Sequence, residues 1–210
     1  MNEVFVEFMR ASCLPLGARK QPLFLRFTIS YTCAKCERDV SGAVVAGAAD
    51  GVEVVRWLQC PDCGDGAVQR IDKNTYPGVA FGMKLEGLPG EVEVAYTEAR
   101  NCMAVDAYGA CELVCRKILM CVAVEKGAKE GEPFSSYLTY LGEKGFITNA
   151  MMGWVEIIRE NGNKATHEIE KVEKKRAEST IMFTAELLRL VYEMEFMAQK
   201  YANKKKEGEG

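Results

Sequence analysis

The sequence predicts an α+β protein, in which a small β-rich module is followed by an all-α bundle. Three observations carry this. The first third alternates apolar and polar side chains at a period of two, and the remainder repeats apolar residues at three- and four-residue steps. A stretch crowded with glycine and proline separates the two patterns. With 48% hydrophobic and 27% charged residues in 210, the chain can build a core.

Taken in order, Phe24 to Tyr31 reads as a strand rich in aromatic and β-branched residues. Residues 43–48 and Val52 to Leu58 are two further strands, and Asp50-Gly51 between them is a hairpin turn signal. From Asp72 to Gly90 come Pro77, Gly78, Gly82, Gly87 and Pro89, a connector. These signals divide the chain into a module over 1–75, a connector over 76–90, a helical bundle over 91–203 and a disordered tail over 204–210.

The helical part opens with Ala95, Ala99, Cys102, Met103, Ala107, Cys111, Val114, Cys115, Ile118 and Val122. Their spacing predicts one long amphipathic helix bent near Gly109. Gly127 to Pro133 ends it, and Phe134 to Glu143 is a short helix with Ser135 or Ser136 near its start. Thr148 caps a further helix running to about Glu160, where Asn161-Gly162-Asn163 breaks it. Phe183, Leu187, Leu190, Val191, Met194, Met197 and Tyr201 mark one face of a long C-terminal helix, frayed from Lys204 onward.

Lysine and arginine total 27 against 30 acids, a formal charge of -3. That excludes a uniformly basic nucleic-acid-binding surface and leaves room for a local basic site. No run approaches the roughly 18–20 apolar residues of a membrane span, and Glu3 and Glu7 stand where a signal peptide needs a basic start. The expectation is a cytoplasmic protein with no membrane partner. In that compartment thiols stay reduced, so nine cysteines are not a disulfide framework.

Four of the nine form two C-x2-C pairs, Cys33-Ala-Lys-Cys36 and Cys60-Pro-Asp-Cys63, with 23 residues between them. A two-residue spacer in a tight turn lets both sulfurs of a pair face one ion, and two such turns supply a tetrahedral zinc site. The expectation is one structural Zn2+ per chain in a zinc ribbon, with redox-active pairs as the alternative. Four cysteine ligands leave no open position for catalysis. Zinc ribbons bind nucleic acid, bind proteins or brace a neighbour. Lys35, Arg38, Arg56 and Arg70 could meet phosphates, but Glu37, Asp39, Asp62 and Asp65 are interleaved with them.

Cys13, Cys102, Cys111, Cys115 and Cys121 lack the paired spacing. Cys111 and Cys115, one helical turn apart, read as core packing or as a second metal pair. Lys171 to Arg176 reads as a solvated face. Arg100 and Arg116 read as surface ion-pair partners or as neighbours of the histidine segment. No phosphate-cradling glycine motif and no Gly-x-Ser-x-Gly is present, so kinase, P-loop and serine-hydrolase readings fall away.

His167 is the single histidine, in Arg159-Glu-Asn-Gly-Asn163-Lys-Ala-Thr-His167. Together with Tyr96 to Cys102, Cys115-Arg116, Tyr137 to Ile147 and Ala185 to Tyr192, this segment resembles the family catalogued as domain of unknown function 4145. The resemblance covers about Pro89 to Tyr201, and members often carry an N-terminal cysteine-paired ribbon. It implies an all-α bundle of the HEPN type, whose members include metal-independent ribonucleases and inactive relatives in defence or restriction contexts, and it implies a homodimer.

The active HEPN motif places four to six residues between arginine and histidine; here seven intervene, and Glu160 follows Arg159. Two functional readings follow. In one, the chain is a binding module for RNA, DNA or a protein partner. In the other it is a metal-independent ribonuclease with Arg159, Asn163 and His167 at the site, two copies supplying two histidines. A purely structural reading stands beside them, with Gly162 and Asn163 forming a turn and His167 bridging helices.

Overall fold

The computed structural model describes residues 27–50, 53–167 and 171–207, with the backbone alone at 49–50, 53–54, 160–167 and 203–207. The chain divides into two compact units, Met1–Ala80 and Phe81–Gly210.

In the first unit, β1 (Thr28–Thr32), β2 (Asp39–Asp50), β3 (Glu53–Gln59), β4 (Gly66–Gln69) and β5 (Thr75–Tyr76) form one antiparallel sheet in sequential order. The expected strand at Phe24 to Tyr31 is observed from Thr28; its first residues lie outside the described ones. The hairpin expected around Asp50-Gly51 joins β2 to β3, with residues 51–52 also outside. Register slips by one residue between Val44 and Ala46, a bulge that raises local twist.

Period-two alternation points Leu58, Val40, Tyr31 and Ala67 to one face, where they pack with Cys33 and Cys60. Tyr31 lies flat over Gly42: a Cβ there would stand 2.3 Å from its ring. That core is small, with four non-cysteine residues at its centre. So little buried apolar surface falls short of what a free-standing module needs without a metal or other staple.

Every regular element described in the second unit is helical. The helices are α1 (Gly90–Ala104), α2 (Tyr108–Glu125), α3 (Phe134–Glu143), α4 (Met152–His167), α5 (Lys174–Leu188) and α6 (Met194–Glu207). Central α2 packs against α1, α3 and α5. Its buried stripe of Cys111, Cys115, Ile118, Leu119, Val122 and Ala123 is rich in small side chains, which lets neighbouring helices approach closely. Trp154 of α4 meets Phe183 of α5 edge to face, centroids 5.9 Å apart, and donates its indole N–H to Ser179 Oγ at 2.6 Å.

Four expectations are corrected. The long helix over 95–122 is two helices, interrupted at 105–107 rather than bent at Gly109. Asp106 takes a φ of 61°, a left-handed conformation that aspartate tolerates and that ends a helix.

The break at Asn161-Gly162-Asn163 does not occur, and α4 runs through it to His167. A glycine in a helix interior costs only about 1 kcal/mol relative to alanine. Here buried Val155 and Ile158 anchor the helix ahead of it. Thr148 instead starts a 3-10 turn, Asn149–Met151, that leads into α4.

The C-terminal stripe is not wholly buried either. A π-helical turn, Arg189–Glu193, joins α5 to α6 and holds more residues per turn than an α-helix. The face begun by Phe183 and Leu187 therefore continues at Tyr192, while Leu190, Met194 and Tyr201 are 42%, 53% and 62% exposed. The described backbone of α6 continues to Glu207.

The fourth correction concerns Lys171 to Arg176. Lys171, Lys174 and Lys175 are exposed as a solvated face requires, but Arg176 is drawn inside by an acid on α2.

Candidate metal centre and the Arg159 helix

Two strand–turn–strand knuckles build the cysteine site, one between β1 and β2 and one between β3 and β4. They share one hydrogen-bond scheme. The Cys33 amide donates to the Arg38 carbonyl (2.9 Å) and the Glu37 amide to the Cys33 carbonyl (2.8 Å). In the second, Cys60 N–H donates to Asp65 C=O (2.9 Å) and Gly64 N–H to Cys60 C=O (3.0 Å). Each turn needs a left-handed residue four places after its first cysteine: Gly64 at φ 75°, and Glu37 at φ 57°. Glycine takes that conformation freely, whereas Glu37 is held there by the knuckle.

The turns bring all four sulfurs within 4.8 Å of one another, the one such grouping among the described residues. Cys33 and Cys63 sulfurs are 3.6 Å apart, and Cys36 and Cys60 sulfurs 3.8 Å. Cys33 and Cys60 are buried, while Cys36 and Cys63 are partly so. Burial opposes charge on Cys60, but amides of Cys63 and Asp62 donate to its sulfur and bring the thiol down to about 7. This donor set can hold a metal ion: four soft ligands, half of them shielded from water, in a closed arrangement.

Around the sulfurs the two knuckles are tied together by charge. Arg38 bonds Asp62 at 3.1 Å, and Lys35 lies 3.9 Å from Asp65. The other two cations picked from the sequence are also engaged: Arg56 donates to Gln69 (3.3 Å), and Arg70 sits over the Tyr76 ring at 5.4 Å. Tyr31 lies against the site with its hydroxyl buried and unpartnered; burial, reinforced by the neighbouring sulfurs, pushes its phenol up to about 12.

In the helical unit Arg159 sits on α4, where its guanidinium bonds Glu156 (3.0 Å) and Thr139 Oγ1 of α3 (2.5 Å). It borders a cavity of about 580 Å³ shared with Lys129, Ser135, Ser136, Thr139 and Tyr140. Asn163 and His167 follow it at four-residue steps on the same helix, and their side chains lie outside the described residues. Because α4 is continuous, the three positions fall along one stripe of its surface, about 40° apart in turn.

Arg100 and Arg116 do not join this stripe. Arg100 donates to the Phe81 and Gly82 carbonyls, holding the segment before α1, and Arg116 covers the Phe134 ring at 4.5 Å. Cys111 and Cys115 are core residues with no exposed surface, Cys102 is half-buried and Cys121 is exposed. Cys13 lies outside the described residues.

Sequence reasoning missed the buried Glu112–Arg176 pair. One signal for it was present: Glu112 stands three residues before Cys115 and seven before Leu119, an acid inside an apolar stripe.

A four-cysteine antiparallel sheet followed by an all-α unit defines a two-part protein with a cysteine cluster able to hold a metal ion and a helical domain. The chain belongs to the family described as Domain of unknown function (DUF4145), whose family model matches residues 97–205, more than half of the 210. No curated protein and no solved structure matches it. Among the described residues no helix is long and apolar enough to cross a membrane.

Proposed function

We propose that the protein is a non-catalytic adaptor, in which a zinc-braced ribbon and a helical DUF4145 domain recruit a protein partner. Zinc is the metal this reading requires. A tetrahedron with zinc–sulfur bonds of about 2.3 Å has edges of about 3.8 Å, and the two sulfur pairs stand at 3.6 and 3.8 Å. Cys33, Cys36, Cys60 and Cys63 would hold it, and its contribution is folding energy rather than chemistry.

The observation that favours a protein partner over nucleic acid is the pairing of the ribbon's cations. Lys35 and Arg38 are answered by Asp65 and Asp62, and Arg56 and Arg70 by Gln69 and Tyr76. Phosphate binding draws on cations that release counterions, and its affinity falls steeply with salt. Fluorescence anisotropy with labelled single- and double-stranded RNA and DNA tests the reading. At 50 mM salt and micromolar protein we expect no binding. Tight, strongly salt-dependent binding overturns it.

A second reading, a metal-independent ribonuclease acting across a dimer, is supported by the four-residue spacing of Arg159, Asn163 and His167 along α4. Histidine would serve as the base and arginine would stabilise the phosphorane charge. Against it, the Arg159 guanidinium is already held by Glu156 and Thr139. Incubating varied RNAs in magnesium-free, chelator-treated buffer with the wild type and with His167→Ala decides the matter. A histidine-dependent cut establishes the enzyme, and inert proteins leave the adaptor.

A further inference from the structure

Between α1, α2 and the loop that follows α2 lies a cavity of about 750 Å³. Its lining is mostly apolar. Val92 and Ala95 of α1 and Met120 and Val124 of α2 line it, each only partly buried against the core, and the buried Ile118 and Tyr137 side chains border it. That size and composition are those of sites that hold small organic ligands. Apolar walls kept wet in a concave site favour an occupant that displaces the water.

The charged residues of the lining say what such an occupant carries. Glu91, Glu125 and Glu130 stand against Lys117 alone. Glu125 is already spent on Tyr192 and Lys126, at 2.5 and 3.1 Å. Among the described residues, the Glu91, Glu130 and Lys117 side chains make no ion pair, which leaves two open carboxylates to one ammonium. The start of α1 also borders the cavity, and its dipole carries only about half a positive charge. Glu91 and Glu93 share that first turn and outweigh it. An anionic group would enter against this lining, whereas an ammonium group would be drawn in.

We propose that this cavity of the helical domain binds a small amphiphilic amine, its apolar tail against Val92, Ala95, Met120 and Val124 and its ammonium group near Glu91 and Glu130. The site is independent of the adaptor reading, because it needs neither the metal nor a protein partner.

Cys121 lines the same cavity and is exposed, so its rate of alkylation by a maleimide, followed by peptide mass spectrometry, reports occupancy. Three probes share one tail and differ in the head: decylamine, decanol and decanoate. Each is titrated into the full chain below its micelle concentration, by calorimetry and against Cys121 alkylation. Decylamine is expected to bind roughly tenfold more tightly than decanoate, the scale of two exposed charge pairs, and to slow the alkylation. The double change Glu91→Gln with Glu130→Gln should erase most of that preference. Cys121→Trp, a surface substitution that fills the cavity, should abolish calorimetric binding with circular dichroism unchanged. Protection of Cys121 in the unsubstituted chain locates the amine even should the tryptophan variant fold poorly. Decylamine that does not bind, decanoate that binds as tightly, or a bound amine that leaves Cys121 alkylation unaltered overturns the proposal. So does a folded Cys121→Trp that binds as before. An amphipathic peptide of leucine and lysine that protects Cys121 where decylamine does not overturns it in favour of a peptide groove.

Discussion

Arg176, in the first turn of α5, grips the Glu112 carboxylate of α2 with Nη2 at 3.0 Å from both oxygens and Nε at 3.2 Å from Oε1. The side chains are 14% and 5% exposed, so this pair is largely withdrawn from water. Arg116 is also close enough to feel the charge of both. A forked guanidinium suits such a site because its donors meet both carboxylate oxygens at once.

Removing one partner leaves the other charge buried and unanswered. Glu112→Ala is expected to cost about 3 kcal/mol of stability, and Arg176→Ala about as much. The double change Glu112→Met with Arg176→Met should recover most of the loss, since an apolar pair of similar volume requires no desolvation of charge. Urea unfolding of the four proteins checks this, and a double variant as unstable as either single one would contradict it.

The metal centre has its own expected outcome. Elemental analysis of purified protein should find one zinc per chain, and Cys60→Ser should lose it together with the dispersion of the ribbon's NMR signals. Chelation should have the same effect, because the six-residue centre of the ribbon core includes two of the ligands, Cys33 and Cys60. A ribbon that keeps its signals after complete metal removal would show that the sheet folds on apolar burial alone.

Tyr31 and Gly42 form a matched pair that mutation can separate. Gly42→Ala would place a methyl 2.3 Å from the Tyr31 ring and 3.2 Å from the Gln59 carbonyl oxygen, so the ring must move; a loss of about 1–3 kcal/mol is expected. Tyr31→Phe removes a buried hydroxyl that has no partner and is expected to be neutral or stabilising by up to about 1 kcal/mol. Thermal melts of the metal-loaded protein read both effects.

The Tyr192 hydroxyl donates to Glu125 at 2.5 Å, and the bond ties stability to pH at both extremes. Burial works against charge on Glu125, but the Tyr192 hydroxyl and the Lys126 ammonium outweigh it and hold the carboxyl below its usual range. A depressed folded value contributes stability above the unfolded pKa of about 4.3, and that stability is lost as pH falls through the folded value. Burial, then the charge of Glu125, raises the Tyr192 phenol, whose contribution is full below about pH 10 and lost as pH rises through its folded value. Tyr192→Phe should flatten both limbs of a stability–pH curve and cost about 1 kcal/mol at neutrality, a modest figure because Glu125 is exposed to solvent.

What the sequence determined alone is what neighbouring residues decide among themselves. The two C-x2-C turns were legible because a two-residue spacer places two sulfurs within a few ångströms whatever surrounds them. Helix α3 runs from Phe134 to Glu143 as its local signals predict: Pro133 precedes it, and Gly145 at φ 78° follows it, where the Phe146 amide closes back on the Leu141 carbonyl. The alternation of the strands set which face of the sheet carries Leu58 and which carries Trp57. Three outcomes waited for tertiary structure. The asparagine–glycine run inside α4, the π turn that slides Leu190, Met194 and Tyr201 off the core, and the burial of Arg176 beside Glu112 each turn on differences of about a kilocalorie per residue in local preference. At that scale the sum of contacts from distant helices decides, and no window of sequence contains both partners.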